Sequence, residues 1–187
     1  MAASSERREE WTPAATDYVL AHGLIGLSLR PLAAALGTSD RMLLYHFDTK
    51  DDLVAAVLFE SNARAVQAVE ALPRSVDLRA AVRDLWSVAN SAEFEPCSRL
   101  YVEAAALGLL GREPYVSVVR EANKRWLGCF VAHLIKSDVP RPIAKRAATV
   151  IGAAFLGLQL DAPLDISGAA RRRAVADLAD AVAALGG

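Results

Sequence analysis

The segment 28–53, SLRPLAAALGTSDRMLLYHFDTKDDL, constrains the fold more than any other part of this chain. It reads as two short helices joined by a tight turn, followed at once by the start of a long helix. Ser28 is a good helix cap, able to accept a backbone N–H. Pro31 falls at the third helical position, where its missing N–H costs nothing because that donor has no intrahelical partner. The Arg30 N–H is then the partner expected for the Ser28 hydroxyl. Leu32, Ala33 and Leu36 form a short apolar face, and Gly37 supplies the left-handed residue that ends the helix. Thr38 and Ser39 offer a second cap, and Asp40 complements the dipole of the next helix. Leu43 and Phe47 lie four apart and share its inward face. Asp40, Arg41, Met42, Tyr45 and His46 are left toward the outside.

A short helix with Arg, Tyr and His outward suits a DNA major groove. Thr49 caps the helix that follows, with Asp52 approximating the acidic end of a capping box. Lys50 opposes the dipole at that N-terminus. It is well placed if a phosphate docks there, because N–H groups, dipole and ammonium would converge on one anion.

The string Ser28-x-Arg30, Leu36-Gly37-Thr38-Ser39 and Leu43-x-Tyr45-His46-Phe47-x-Thr49-Lys50-Asp51-x-Leu53 resembles the N-terminal domain of the tetracycline-repressor (TetR) family of bacterial transcription regulators. The N-terminal domain it marks, residues 1–49, is roughly a quarter of the 187 residues. The resemblance implies base reading by Arg30, Arg41 and Met42. It implies contacts to the DNA backbone by Thr38, Ser39, Tyr45, His46 and Lys50. Leu44 stands where the family usually has an aromatic residue, so one phosphate contact is absent or passes to Tyr45. Arg41 stands where many members carry a small residue or Pro. An Arg there can bond guanine O6 and N7 together, typically about 1–3 kcal/mol of discrimination.

Charge gives little help. Residues 1–50 carry five basic side chains against six acidic ones, and the whole chain is at −1. Phosphate neutralisation normally drives affinity for DNA, so dimerisation and base contacts must carry more of it. Cys97 and Cys129 are far apart, with no clustered His, which points to free thiols and no metal site. The N-terminal MAASSERREE has no apolar core of a signal peptide. No run reaches the roughly 18 uncharged apolar residues of a membrane helix. The expected location is the bacterial cytoplasm, at the nucleoid, with no membrane partner and no cofactor.

Helical patterning covers nearly the whole chain, with no strand alternation. The first helix runs to about His22, with Pro13 marking its start or a bend. A fourth runs from Lys50 to about Leu72 and stops at Pro73. Others cover Asp77 to Asn90, Pro96 to Leu110, Tyr115 to Lys136, Pro142 to Leu160 (ended by Pro163) and, capped by Ser167, a stretch to Leu185. The expected fold is all-α with about nine helices. A three-helix helix-turn-helix head at 1–49 precedes a helical ligand-binding and dimerisation body at 50–187.

The last two helices, about 142–160 and 168–185, read as an association surface. Ala147, Ile151, Ala154, Phe155 and Leu158 mark one, with Gly152 and Gly157 allowing close approach; Val175, Leu178, Val182 and Leu185 mark the other. Two such pairs make a four-helix bundle between chains, unless these faces pack only within one chain. In the body, Trp86, Tyr101, Trp126 and Phe130 could line a ligand pocket. Glu103 and His133 would be its convergent polar groups, although an aromatic stripe at helical spacing also suits an ordinary core.

The sequence thus points to a homodimeric repressor of a palindromic operator in double-stranded DNA, released by a small-molecule effector. The alternative is a helical ligand-binding or scaffold protein whose head does not read DNA, favoured by Leu44 and the neutral head. An enzyme would need a Ser/His/Asp set, metal-ligand spacing or a phosphate-cradling Gly loop, and the sequence offers none.

Overall fold

Nine α-helices make up the described residues of the computed structural model, 2–161 and 167–186. They are α1 (Ala2–His22), α2 (Leu29–Ala35), α3 (Asp40–Phe47), α4 (Lys50–Glu70), α5 (Leu78–Ala89), α6 (Glu95–Leu109), α7 (Tyr115–Lys136), α8 (Arg141–Leu160) and α9 (Gly168–Ala183), closed by a 3₁₀ turn at Ala184–Gly186. Pro13 lies inside α1 and is not its start. The stop expected at Pro163 lies outside the described residues.

Punctuation by caps explains most of these boundaries. Gly37, at φ +67°, follows the last turn of α2. There the Thr38 N–H reaches the Ala33 carbonyl at 2.9 Å and the Gly37 N–H the Ala34 carbonyl at 3.2 Å. This paired closure requires a left-handed residue, which costs glycine nothing. Asp77 caps α5 by accepting the Ala80 N–H at 2.7 Å. Ser167 caps α9 by accepting from Ala170 at 3.2 Å.

Two hydrophobic cores result. In the first, Ala15 and Val19 of α1 and Leu32 of α2 close on Leu43 and Phe47 of α3, Leu53 and Val57 of α4, Leu100 of α6 and Val118 of α7. In the second, Val82 and Leu85 of α5 pack with Phe130 and Leu134 of α7, Ile151 and Phe155 of α8 and Val182 of α9. Each core belongs to one compact unit. Met1–Arg64 with Pro96–Asn123 forms the first, and Ala65–Glu95 with Lys124–Gly187 the second. Packing therefore cuts within α4, at another place than the division expected after residue 49.

Two expectations for α8 and α9 change. Ala147, Ile151 and Phe155, with Val182, are buried in the second core of the same chain, and Val175 is buried as well. They hold the monomer together and are not free to meet another copy. Gly152 serves the same end, because a Cβ there would sit 2.7 Å from Leu127 Cδ2, so it admits α7. The outward stripe of α8 is instead Thr149, Val150, Ala153, Gly157 and Leu160, all exposed. Finally, α8 is long and apolar enough to cross a membrane by length and composition alone. Its uncharged run is shorter than the helix, because Lys145 and Arg146 lie in the first two turns.

Candidate nucleic-acid interface

The turn and α3 are built as the sequence implies, with one exception in the caps. The Ser39 hydroxyl accepts the Met42 N–H at 3.2 Å, and Asp40 Oδ1 accepts the Arg41 N–H at 2.9 Å. Ser28 has the extended backbone of a cap but makes no side-chain cap bond. The reason is Pro31, which occupies the third helical position and removes the donor such a hydroxyl most often meets. The bond expected to Arg30 does not take its place.

Leu43 and Phe47 are wholly buried and anchor α3 in the first core. Arg41 is exposed, Met42 is 42% exposed and Tyr45 is 68% exposed. Arg41 and Tyr45 are four apart, so their side chains lie on one outward face. Thr38 is half-buried, while Arg30, Ser39 and Lys50 are exposed.

His46 departs from its expected outward position: it is only 9% exposed. Its ring meets Trp11 of α1 edge-on, with centroids 5.1 Å apart, and Tyr45 edge-on at 5.0 Å. At about 100° per residue, position 46 falls about 60° to one side of Leu43, with Phe47 about 40° to the other, at the edge of the inward face. The i,i+3 relation to Leu43 was the available signal. His46 packs α1 against α3 and is withdrawn from the list of backbone-contacting side chains.

Lys50 also has a structural partner. Its Nζ donates to the Leu27 carbonyl at 2.5 Å. The ammonium thereby ties the first turn of α4 to the segment before α2, and it has two further donors. Beside it, Thr49 accepts the Asp52 N–H at 3.0 Å and donates its hydroxyl to Asp52 Oδ2 at 2.5 Å. A further cation near α3 is Arg8, whose guanidinium lies 5.4 Å over the Phe47 ring. It was not singled out from the sequence, where nothing ties residue 8 to residue 47.

The six side chains nominated for a ligand pocket divide between the two units. Tyr101 and Glu103 belong to the first unit, and Trp86, Trp126, Phe130 and His133 to the second. The Glu103 carboxylate accepts the N–H groups of Leu24 at 2.7 Å and Ile25 at 2.8 Å. Phe130 is fully buried core. Trp86 meets Phe155 edge-on at 4.9 Å, and Trp126 stacks on Phe94 at 5.3 Å. An open cleft of about 480 Å³ in the second unit is lined by Asp77, Arg79, Ser137, Asp138 and Ile143 among others, and by none of the six.

His133 has polar company that spacing did not reveal. Ser75 Oγ lies 2.5 Å from Asp84 Oδ2, to which it donates, and 3.1 Å from His133 Nε2. With its one proton on Asp84, Ser75 must accept from His133 Nε2–H. The Nδ1 lone pair is buried without a partner. Burial pushes the His133 pKa down, against a smaller upward pull from Asp84 and with a small downward one from Lys136. Cys129 is a buried free thiol raised to about 12, chiefly by burial and secondarily by Glu70, while Cys97 is a half-buried one. No group of three His, Cys, Asp or Glu suited to a metal ion occurs among the described residues.

Residues 14–57 match the family described as bacterial regulatory proteins, tetR family. No curated protein sequence matches the chain. Among solved structures, the chain is similar to a transcriptional regulator from Rhodococcus sp. RHA1 (TM-score 0.76, 21% identity, 94% of this chain and 95% of that one). It is similar to a transcriptional regulator from Saccharomonospora viridis solved in complex with choline (TM-score 0.66, 17% identity, 94% and 95%). It is also similar to the multidrug binding protein EbrR complexed with imidazole (TM-score 0.62, 26% identity, 95% and 90%).

Proposed function

We propose, on the premise that this chain belongs to the tetR family of bacterial regulatory proteins through its head at 14–57, that it is a sequence-specific DNA-binding transcriptional regulator. The observation that carries the reading is the two-sided build of α3. Leu43, His46 and Phe47 are inward, while Arg41, Met42 and Tyr45 are outward on a helix capped by Ser39. Arg30, Arg41 and Met42 read bases. Thr38, Ser39, Tyr45 and Lys50 hold the DNA backbone, Lys50 through the donors that Leu27 leaves over. The functional division is a head at 1–49 and a body at 50–187. The protein acts in the bacterial cytoplasm, where its DNA lies.

The regulator works as a homodimer on a palindromic operator. Support comes from the outward stripe of α8, where Val150, Ala153, Gly157 and Leu160 leave an apolar, small-residue surface uncovered. Two copies pairing their last two helices would bury it as a four-helix bundle. Repression is relieved by a small organic effector held in the body. The relatives with choline and with imidazole support this, as do the half-buried Trp86 and Trp126 and, in the same unit, the buried Nδ1 of His133 that lacks a partner. The effector must prefer the spacing of the two heads that DNA does not.

Selection from a pool of random duplexes, with winners titrated across salt, tests the reading. Enrichment of a palindrome with a steep salt slope is the expected result. Absence of any enrichment, with weak binding even at low salt, would overturn it.

A further inference from the structure

Two side chains on α6, Arg99 and Glu103, grip the corner between α1 and α2 from either side of Gly23. Arg99 Nη2 donates to the Leu20 carbonyl at 2.7 Å. Glu103 Oε2 accepts from Leu24 N–H at 2.7 Å and Ile25 N–H at 2.8 Å. The chemistry on each side suits its partner. Leu20 lies in the last turn of α1, where carbonyls lose their intrahelical donors and the dipole end is negative, so it takes a cation. Leu24 and Ile25 begin the link after the helix, and their amides take a carboxylate.

The gripped pair sits between two pivots. Gly23 and Gly26 are both at φ +84°, a region that leaves the backbone there to glycine. The grip is also close: a Cβ on Gly23 would lie 3.2 Å from Glu103 Oε1. One residue past Gly26, the Leu27 carbonyl holds Lys50 of α4. Three residues beyond that stands Arg30. A carboxylate in the apolar run LYVEAAALGLL of α6 thus has a task that helix stability does not require.

We infer that Arg99 and Glu103 are positioning residues for DNA reading: they lock the Gly23–Gly26 corner onto α6 and so set how α2 and α3 are presented. The inference deepens the function proposed above and rests on it. Neither side chain touches DNA. Loss of the grip lets the corner pivot, so matched contacts to bases suffer more than contacts to phosphate. The signature is a fall in the ratio of specific to non-specific affinity, with α3 still folded.

The test uses the full-length protein, the duplex enriched by selection and a random duplex of equal length. Amide hydrogen exchange is followed residue by residue. For Glu103→Ala, exchange at Leu24 and Ile25 should quicken at least tenfold, with Leu43 and Phe47 as protected as before. The specific-to-random affinity ratio should fall by about five- to twentyfold. Glu103→Gln, which keeps an acceptor oxygen, should recover part of both. Arg99→Ala, which removes the bond to the Leu20 carbonyl from an exposed side chain, should give a smaller change of the same kind and guards against a Glu103→Ala chain that fails to fold. Faster exchange at Leu24 and Ile25 with an unchanged affinity ratio would overturn the positioning role and leave the DNA reading intact. A wild-type chain that prefers no duplex over random would overturn both.

Discussion

Replacing Val150 by Glu probes the proposed homodimer at its least ambiguous residue. Val150 is 43% exposed in the single chain, on the outward stripe of α8. Full burial of such a side chain stabilises by about 1.5–3 kcal/mol, so the exposed remainder holds roughly 1 kcal/mol for a partner to recover. A two-fold interface uses the residue twice, making about 2 kcal/mol, or roughly thirtyfold in dimer dissociation, for loss of the apolar contact alone. An unpaired carboxylate forced into the same place costs a few kcal/mol more per copy. Val150→Glu should therefore weaken the dimer by well over a thousandfold. The monomer should change by no more than about 0.5 kcal/mol, since exposed substitutions rarely cost more. Sedimentation equilibrium across a concentration series gives the association constant, and thermal unfolding of the monomeric variant checks its fold. A variant that stays dimeric with wild-type affinity would refute the reasoning and remove the outward face of α8 from the interface.

Further outcomes concern the head and the buried histidine. Arg41→Ala should relax sequence preference at one operator position, costing about 1–3 kcal/mol there, whereas Lys50→Ala should weaken all duplexes alike and lower the salt slope by about one; binding left intact by both changes would mean that the reading face is misassigned. Ser39→Ala removes the cap on Met42 N–H and should destabilise the head by about 1 kcal/mol in denaturant unfolding, without altering which sequence is selected. His133 titrates below its usual 6.5 because it is buried, so on acidification the unfolded chain takes up the proton first. Its contribution to stability is therefore full above about pH 7 and is lost as pH falls through 6.5 toward the lowered folded value. A His133→Gln chain should show a shallower acid limb in unfolding curves recorded from pH 7.5 to 5, and an identical limb would remove His133 as the cause.

Local sequence determined the helices and the stops between them, because caps and breakers act within a few residues. Gly37 ends α2 because only a left-handed residue completes the paired closure onto Ala33 and Ala34. Tyr115–Lys136 is a helix with the bounds its spacing implies, and the caps by Ser39, Asp77 and Ser167 are where their residue types put them. Leu43 and Phe47 were legible as the inward pair of α3, and Arg41, Met42 and Tyr45 as its outward side. These statements rest on periodicity along one helix, which a sequence carries in full.

Tertiary structure decided which of two apolar faces a helix buries, and what each polar side chain meets. On α8, Ile151 and Phe155 went to the chain's own core, leaving Val150 and Gly157 outside. The amphipathic pattern alone fits either arrangement, since it names faces and not their neighbours. His46 went under Trp11, 35 positions earlier in the chain. Glu103 went to Leu24 and Ile25, separated from it by 79 and 78 positions. The half-buried Glu103 carboxylate is stabilised there because two backbone amides left over at a helix end supply it with donors. Such pairings depend on distance in space, and one chain read in order has no measure of it.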